Sequence, residues 1–107
     1  MTWEIIPLPE AEAELLALPV DMQARFLRIA DMLIEYGPHR VGMPHVRHLE
    51  GKLWEIRVKG RDGLARAIYM ALAGQRLSVL HVFVKKTQKT PHKAIETAYV
   101  RMMEQER

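Results

Sequence analysis

Lysines gather at the end of a stretch that reads as a buried strand. In the run LHVFVKKTQKTPHK, an apolar Val-Phe-Val leads directly into Lys85 and Lys86, and Lys89 and Lys93 follow. Ammonium groups held at one edge of a sheet attract anions such as phosphate, although a strand end that only meets water carries lysines as well. The spacing therefore leaves two interpretations, an anion-binding edge or a solvated strand end.

Two arginines on neighbouring predicted strands extend the first interpretation. Arg57 follows Trp-Glu-Ile, and Arg66 stands among alanines beyond the turn GRDG. A phosphate-transfer site needs removal of a proton from the nucleophile, stabilisation of the negative charge that develops on the phosphoryl group and delivery of a proton to the leaving oxygen. Guanidinium groups suit the second task because their planar fork pairs with two phosphate oxygens. We therefore predict a phosphate cradle of Arg57, Arg66, Lys85 and Lys86; a solvated Arg57 and a structural ion pair for Arg66 are the alternatives.

Proton transfer has fewer candidates. Glu55, two residues before Arg57, is a candidate general base, and His48 and His92 are candidates that could reach a site at the sheet edge. His81 lies on a nearly all-apolar strand, which is typical of a core histidine with a satisfied hydrogen bond. The sequence therefore predicts the cationic part of a site more firmly than its acid and base.

Charge is distributed unevenly along the 107 residues. Residues 1–38 carry a balance of −5 and residues 39–93 a balance of +9, although the whole chain is only +3. A solvated surface normally mixes both signs, so this segregation indicates a polyanionic partner. The cations outside the cradle that are candidates for following an RNA backbone are Lys52, Lys59, Arg61, Lys89 and Lys93.

Several functional classes are disfavoured. The chain has no cysteine, which removes disulfides, thiolate metal sites and cysteine nucleophiles. The spacing HVRH at 45–48 occurs among metal ligands, but no acidic cluster accompanies it, so we predict no metal and no cofactor. No apolar run is long enough to cross a bilayer, and the first residues lack a basic leader segment. We expect a cytoplasmic protein that does not bind membranes.

Periodicity predicts one α+β domain over residues 1–107. Alternation, helical spacing and turn residues give a strand at 3–6, helices at 10–18 and 21–36, strands at 53–59, 64–72 and 77–84, and a final helix to 104 that Thr90 caps. Residues 40–51 read as a loop. The order β-α-α-β-β-β-α, with a helical hairpin covering one face of a small antiparallel or mixed sheet, is typical of α+β folds.

The runs HLEGKLWEIRVKGRDGLARAIYM and LHVFVKKTQKTPHKAIETA resemble toxins of the RelE/ParE superfamily, in particular its phage-related HigB-like branch. The resemblance covers roughly residues 48–98 and implies a RelE-like fold. By the resemblance, Arg57 falls where relatives place a catalytic lysine or arginine, and Arg66 matches an arginine that contacts the scissile phosphate. The two lysines at the end of the last strand match its basic end. Glu55 stands where some relatives have lysine, and Ile95 where some have tyrosine, so the acid and base stay open.

The resemblance also implies a function and its partners. The chain would be the toxin of a type II toxin–antitoxin pair, a ribosome-dependent endonuclease of messenger RNA that inhibits translation. A cognate antitoxin, usually a helix-turn-helix protein of the HigA type, would neutralise it in a hetero-oligomer. Two other functions stay open, a ParE-like inhibitor of DNA gyrase that cuts nothing and a toxin remnant that only binds its antitoxin.

Overall fold

The computed structural model describes residues 2–85 and 89–105. In chain order its elements are β1 (Glu4–Pro7), α1 (Pro9–Leu16), α2 (Val20–Tyr36), α3 (Pro38–Val41), β2 (Val46–Glu50), β3 (Leu53–Gly60), β4 (Gly63–Leu72), β5 (Arg76–Lys85) and α4 (His92–Gln105). None of the helices in these residues is long and apolar enough to cross a membrane.

The strands form one mixed sheet in the order β1-β5-β4-β3-β2. β1 runs parallel to β5, and the other neighbours are antiparallel. Tight turns set the register of the central strands: Gly60 pairs with Gly63, and Gly74 and Gln75 take positive φ angles of 79° and 57°, as turns that match the strand twist require. The predicted α+β class, with a sheet and two leading helices, is confirmed.

Two elements lie where the sequence predicted a loop. α3 is one turn that begins at Pro38, a residue favoured at the first helical position. β2 pairs with β3 at the sheet edge, with a register shift between His48 and Glu50. Only Val46 of β2 is buried, so the strand lacks the apolar alternation by which strands are recognised and depends on its neighbour for its conformation.

Both faces of the sheet are covered. On one face, Met22, Phe26 and Leu33 of α2 pack against a row that includes Ile56 and Val58 of β3. The second helix of the predicted hairpin therefore covers one face of the sheet, as expected. On the other face, Ala94, Ala98 and Met102 of α4 pack against Leu53, Ile68 and Leu80. Burying a large aliphatic side chain contributes about 1.5–3 kcal/mol, so α4 is held mainly by this second core.

A charged cluster connects α1, β5 and α4. Glu14 accepts hydrogen bonds at 2.8 and 3.1 Å from Arg101 and at 3.0 Å from the amide of Val82. The Nδ1 atom of His81 lies 3.0 Å from the same carboxylate, which satisfies this histidine as predicted. β1 pairs with β5 only as far as Val79. Glu14 therefore takes over the amide of β5 just beyond the point where β1 ends.

Removing the charge of Glu14 should destabilise the fold. Burial alone would raise the pKa of Glu14, but the hydrogen bonds from Arg101, Val82 and His81 hold it below the ordinary 4.5. A carboxyl with a lowered folded pKa contributes stability above its unfolded pKa, and that contribution is lost as the pH falls through the folded pKa. We expect Glu14→Gln to lower the free energy of unfolding by roughly 1–3 kcal/mol at neutral pH, measured by urea denaturation.

The free energy of unfolding at acid pH gives a second measurement. Below about pH 4.5 the difference between Glu14→Gln and the wild type should shrink, because both carboxamide and protonated acid are then neutral. Glu10→Gln is the control, since Glu10 is exposed in the first turn of the same helix. Equal unfolding free energies for Glu14→Gln and the wild type at neutral pH would refute the stabilising role.

Candidate active site

The register of the sheet places three of the predicted cations on one face. Arg57 pairs directly with Arg66, Arg66 pairs with Phe83, and Lys85 lies two residues further along β5, opposite Leu64. Residues that pair directly, and those two apart on one strand, share a face. Arg57, Arg66 and the exposed Lys85 therefore all lie on the face that carries α4. Lys86 lies outside the described residues.

Glu55 lies at the centre of this charged row. Its carboxylate has no exposure to solvent, accepts a hydrogen bond of 2.6 Å from the hydroxyl of Thr90 and lies 3.4 Å from Nη1 of Arg57. A buried carboxylate without such partners would cost several kcal/mol. The hydroxyl of Thr90 therefore donates its hydrogen bond to the carboxylate of Glu55. The sequence predicted that Thr90 caps the last helix; α4 instead begins at His92.

Arg66 is covered from solvent, with an exposure of 0%. Its Nη1 atom donates a hydrogen bond of 2.9 Å to the carbonyl oxygen of Lys89. Burial lowers the pKa of Arg66; the charge of Glu55 opposes that shift, and the charges of Arg57 and Arg47 add to it. In this arrangement Arg66 supplies positive charge from beneath the surface.

Arg47 joins the site although its sequence context did not indicate it. It pairs with Glu55 across β2 and β3, so it lies on the same face as Arg57 and is exposed. The signal that would have found it is a strand at 46–50, because cross-strand pairing then follows from alternation. Three guanidinium groups accompany one carboxylate, and the charge excess of this cluster attracts an anion.

The two candidate histidines are not brought to this cluster. His48 pairs with Trp54, and its ring lies 4.7 Å from the indole, on the opposite face of the sheet from Arg57. Its Nε2 atom lies 2.9 Å from the carbonyl oxygen of Gly51. His92 is 81% exposed at the start of α4 and pairs with Glu96 at 2.9 Å. Of the acid–base candidates in the described residues, Glu55 alone contacts the arginine row.

The candidate RNA-following cations lie at separate places around this face. Lys59 and Arg61 are exposed at the β3–β4 hairpin, and Lys52 is exposed in the β2–β3 turn at the other end of β3. Lys89 and Lys93 are exposed on either side of the start of α4. Within residues 2–85 and 89–105, no group of three or more histidine, aspartate or glutamate side chains is arranged to hold a metal ion.

Comparison with known proteins yields a matching family and several solved structures of similar fold. The family described as Phage derived protein Gp49-like (DUF891) matches residues 13–103. A chain of the archaeal RelE–RelB complex from Pyrococcus horikoshii OT3 is similar at a TM-score of 0.60 and 26% identity, over 83% of this chain and 100% of that chain. No curated protein sequence matches significantly.

The second solved structure is similar in fold alone. It is the toxin–antitoxin complex RelBE2 from Mycobacterium tuberculosis, with a TM-score of 0.58 at 17% identity, over 79% of this chain and 100% of that chain. Each match covers the full length of the solved chain and 83% or 79% of this chain. The similarity is therefore to a whole domain rather than to one motif.

The hydroxyl of Thr90 offers a direct test of how the charged row is held. Thr90→Val keeps the shape of the side chain but leaves one oxygen of the buried Glu55 without its 2.6 Å donor. We expect a loss of about 1–3 kcal/mol in the free energy of unfolding, measured by urea denaturation. The control is Thr97→Val, because the hydroxyl of Thr97 donates to the carbonyl of Lys93 within α4 rather than to a buried carboxylate. Equal losses in the two variants would contradict a special role for Thr90.

Proposed function

The chain belongs to the Phage derived protein Gp49-like family and has a RelE-like fold, and from this membership we propose that it is the toxin of a type II toxin–antitoxin pair that cleaves messenger RNA on the ribosome. The observation that carries the nuclease function is the cluster of Arg47, Arg57 and Arg66 around Glu55 on one sheet face. A phosphodiester that passes through a doubly negative phosphorane needs such an excess of fixed positive charge.

The reaction is an attack by the ribose 2′-oxygen on the adjacent phosphorus. The bond from phosphorus to the 5′-oxygen breaks, leaving a cyclic 2′,3′-phosphate on one fragment and a 5′-hydroxyl on the other. One proton leaves the 2′-hydroxyl, and one is delivered to the 5′-oxygen. The step balances without a metal, an oxidant or a cofactor, so the charges that the phosphorane needs come from the chain itself.

Solvent exposure distinguishes the roles of the cations in this proposal. The side chain of Arg57 is 11% exposed and Arg47 and Lys85 are exposed, so these groups meet the phosphate directly. Arg66 lies beneath them and raises the local positive potential. Lys86, outside the described residues, is proposed as a fourth contact on the strength of the sequence.

Glu55 acts in this proposal mainly as a positioning residue. Its carboxylate oxygens are engaged by Thr90 and Arg57, and its burial separates it from a ribose that approaches the exposed side of the row. The carboxylate fixes the guanidinium of Arg57 in the geometry that a phosphate oxygen requires. His92 remains a proton-transfer candidate, because it is exposed two residues after Thr90, although its ring now pairs with Glu96.

The partners follow from the same family. Of the two solved structures described above, one is a toxin–antitoxin complex and the other is a complex of RelE with RelB. We propose that this chain likewise forms a hetero-oligomer with a cognate antitoxin, of the helix-turn-helix HigA type, and acts on messenger RNA in the ribosome in the cytoplasm.

Replacing Arg57 tests the nuclease function. We expect Arg57→Gln to reduce cleavage of messenger RNA in translating ribosomes on the order of a hundredfold, since it removes a group that stabilises transition-state charge. The measurement is the amount of cut message after a fixed time in a purified translation system. The matched control is Arg76→Gln, because Arg76 is an exposed arginine at the opposite end of β5.

DNA supercoiling by gyrase is measured on the same samples. A wild-type protein that leaves message intact and blocks supercoiling is a ParE-like inhibitor, and the nuclease proposal then fails. A protein that does neither, and does not arrest growth when it is induced, is a remnant that binds only its antitoxin.

A further inference from the structure

A cationic cleft adjoins the candidate site on its outer side. The cleft has a volume of about 1010 Å³ and lies between α2, the β3–β4 hairpin and the segment 43–47. Its described lining residues include no aspartate and no glutamate. The six lysines and arginines that line it are Arg25, Arg28, Arg47, Arg57, Lys59 and Arg61. Arg25 and Arg28 come from a helix whose sequence indicated only a packing role.

Little of this positive charge is neutralised within the fold. Arg57 is paired with Glu55. Arg25 donates a hydrogen bond of 2.7 Å to the carbonyl oxygen of Lys59, and its charge is partly offset by Asp21, whose pKa it helps to lower. Among the described residues, no carboxylate forms an ion pair with Arg28, Arg47 or Arg61. Like charges gathered around one cleft repel one another, so the arrangement favours a bound polyanion.

The inner wall of the cleft is fixed by backbone contacts between α2 and the hairpin. Asp21 accepts a hydrogen bond of 3.0 Å from the amide of Arg61, and this bond lowers the pKa of Asp21. A Cβ atom built on Gly60 would lie 2.5 Å from Cγ of Met22, so the glycine permits the hairpin to approach the helix. The bond from Arg25 to Lys59 completes this wall.

The outer wall is fixed to the same strand. The amide of Arg57 donates a hydrogen bond of 2.8 Å to the carbonyl oxygen of His45, the residue that immediately precedes β2. Arg47 and Arg57 therefore stand at the junction of the cleft with the charged row around Glu55. A strand of nucleic acid leaving the cleft at this edge of the sheet would pass Arg47 and Arg57, the two residues that the cleft shares with the row.

The lining chemistry indicates which part of a nucleic acid is bound. The floor is formed by aliphatic and thioether side chains, among them Ile29, Met32 and Val58, and the described lining includes no phenylalanine, tyrosine or tryptophan. His45 carries the one aromatic ring among the described lining residues, and bases stack best on aromatic side chains, so phosphate and ribose are the main groups that this cleft can contact. Recognition of this kind is independent of base sequence.

We propose that this cleft binds the sugar–phosphate backbone of the RNA strand that flanks the cleaved phosphate. The identity of the ligand as RNA rests on the proposed function, whereas the position of the site rests on the cleft alone. Continuity with the arginine row favours RNA over the competing occupant, an acidic protein segment. Arg25 and Arg28 are the residues that this inference adds to the binding surface.

The test compares two double variants that remove the same charge. Arg25→Gln with Arg28→Gln alters the cleft, and Arg40→Gln with Arg76→Gln alters two exposed arginines that do not line it. Binding of a short single-stranded RNA with 2′-O-methyl riboses, which cannot be cleaved, is measured by fluorescence anisotropy across a salt series. For single strands, each phosphate contact contributes about 0.7 to the slope of log K against log salt.

We expect the cleft variant to lose about 1.4 from that slope and roughly tenfold in affinity at low salt, whereas the control variant should stay close to wild type. The single variant Arg28→Gln controls for misfolding of the double variant, because the side chain of Arg28 makes no ion pair in the described residues. Its slope should decrease by about half as much as that of the double variant. Replacing both cleft arginines by lysine should preserve the slope, since the interaction is with charge.

The outcomes separate this inference from the proposed function. If the wild type cuts ribosomal messenger RNA but the cleft variant binds RNA like the control, the cleft inference is overturned and the nuclease function stands. If RNA binding is unchanged while the cleft variant loses its cognate antitoxin, the occupant is an acidic protein segment and the RNA proposal is wrong. If the cleft variant alone loses RNA binding, the cleft is supported even where no cleavage is seen.

Discussion

The buried carboxylate of Glu55 constrains the arrangement of the whole charged face. A negative charge without solvent contact must be matched locally, and the matching groups come from separate parts of the chain: Arg57 from the same strand, Arg66 from the next, and Thr90 from the segment before α4. These groups together fix where α4 starts and how its first turn lies on the sheet. One acid therefore organises a face that otherwise carries cations, and its single charge leaves their excess in place.

Strand alternation and hairpin length were enough to predict the core of this arrangement. Glu55 and Arg57 share a face because they are two residues apart on a strand, and the tight turn at 60–63 sets the register that brings Arg66 opposite Arg57. Both features depend on short stretches of sequence. The location of these three residues relative to one another was therefore predictable before any long-range contact was known.

The rest of the site depends on contacts that local patterns do not encode. Arg66 donates a hydrogen bond to a carbonyl group 23 residues away, and Arg47 belongs to an edge strand that has almost no apolar alternation. Arg25 and Arg28 lie on the polar side of an amphipathic helix, where exposed arginines are ordinary. Only the packing of α2 beside the β3–β4 hairpin turns them into the wall of a cleft.

The contacts between the two ends of the domain bear on how the protein is made. β1 can pair with its parallel neighbour only after β5 has been synthesised. The carboxylate of Glu14 can likewise bind Arg101 only after that residue, 87 positions later, has been synthesised. Contacts between residues so far apart in the sequence form slowly and late in folding. A nascent chain that lacks them exposes an incomplete sheet. Vectorial synthesis thus postpones the native state until α4 has left the exit tunnel.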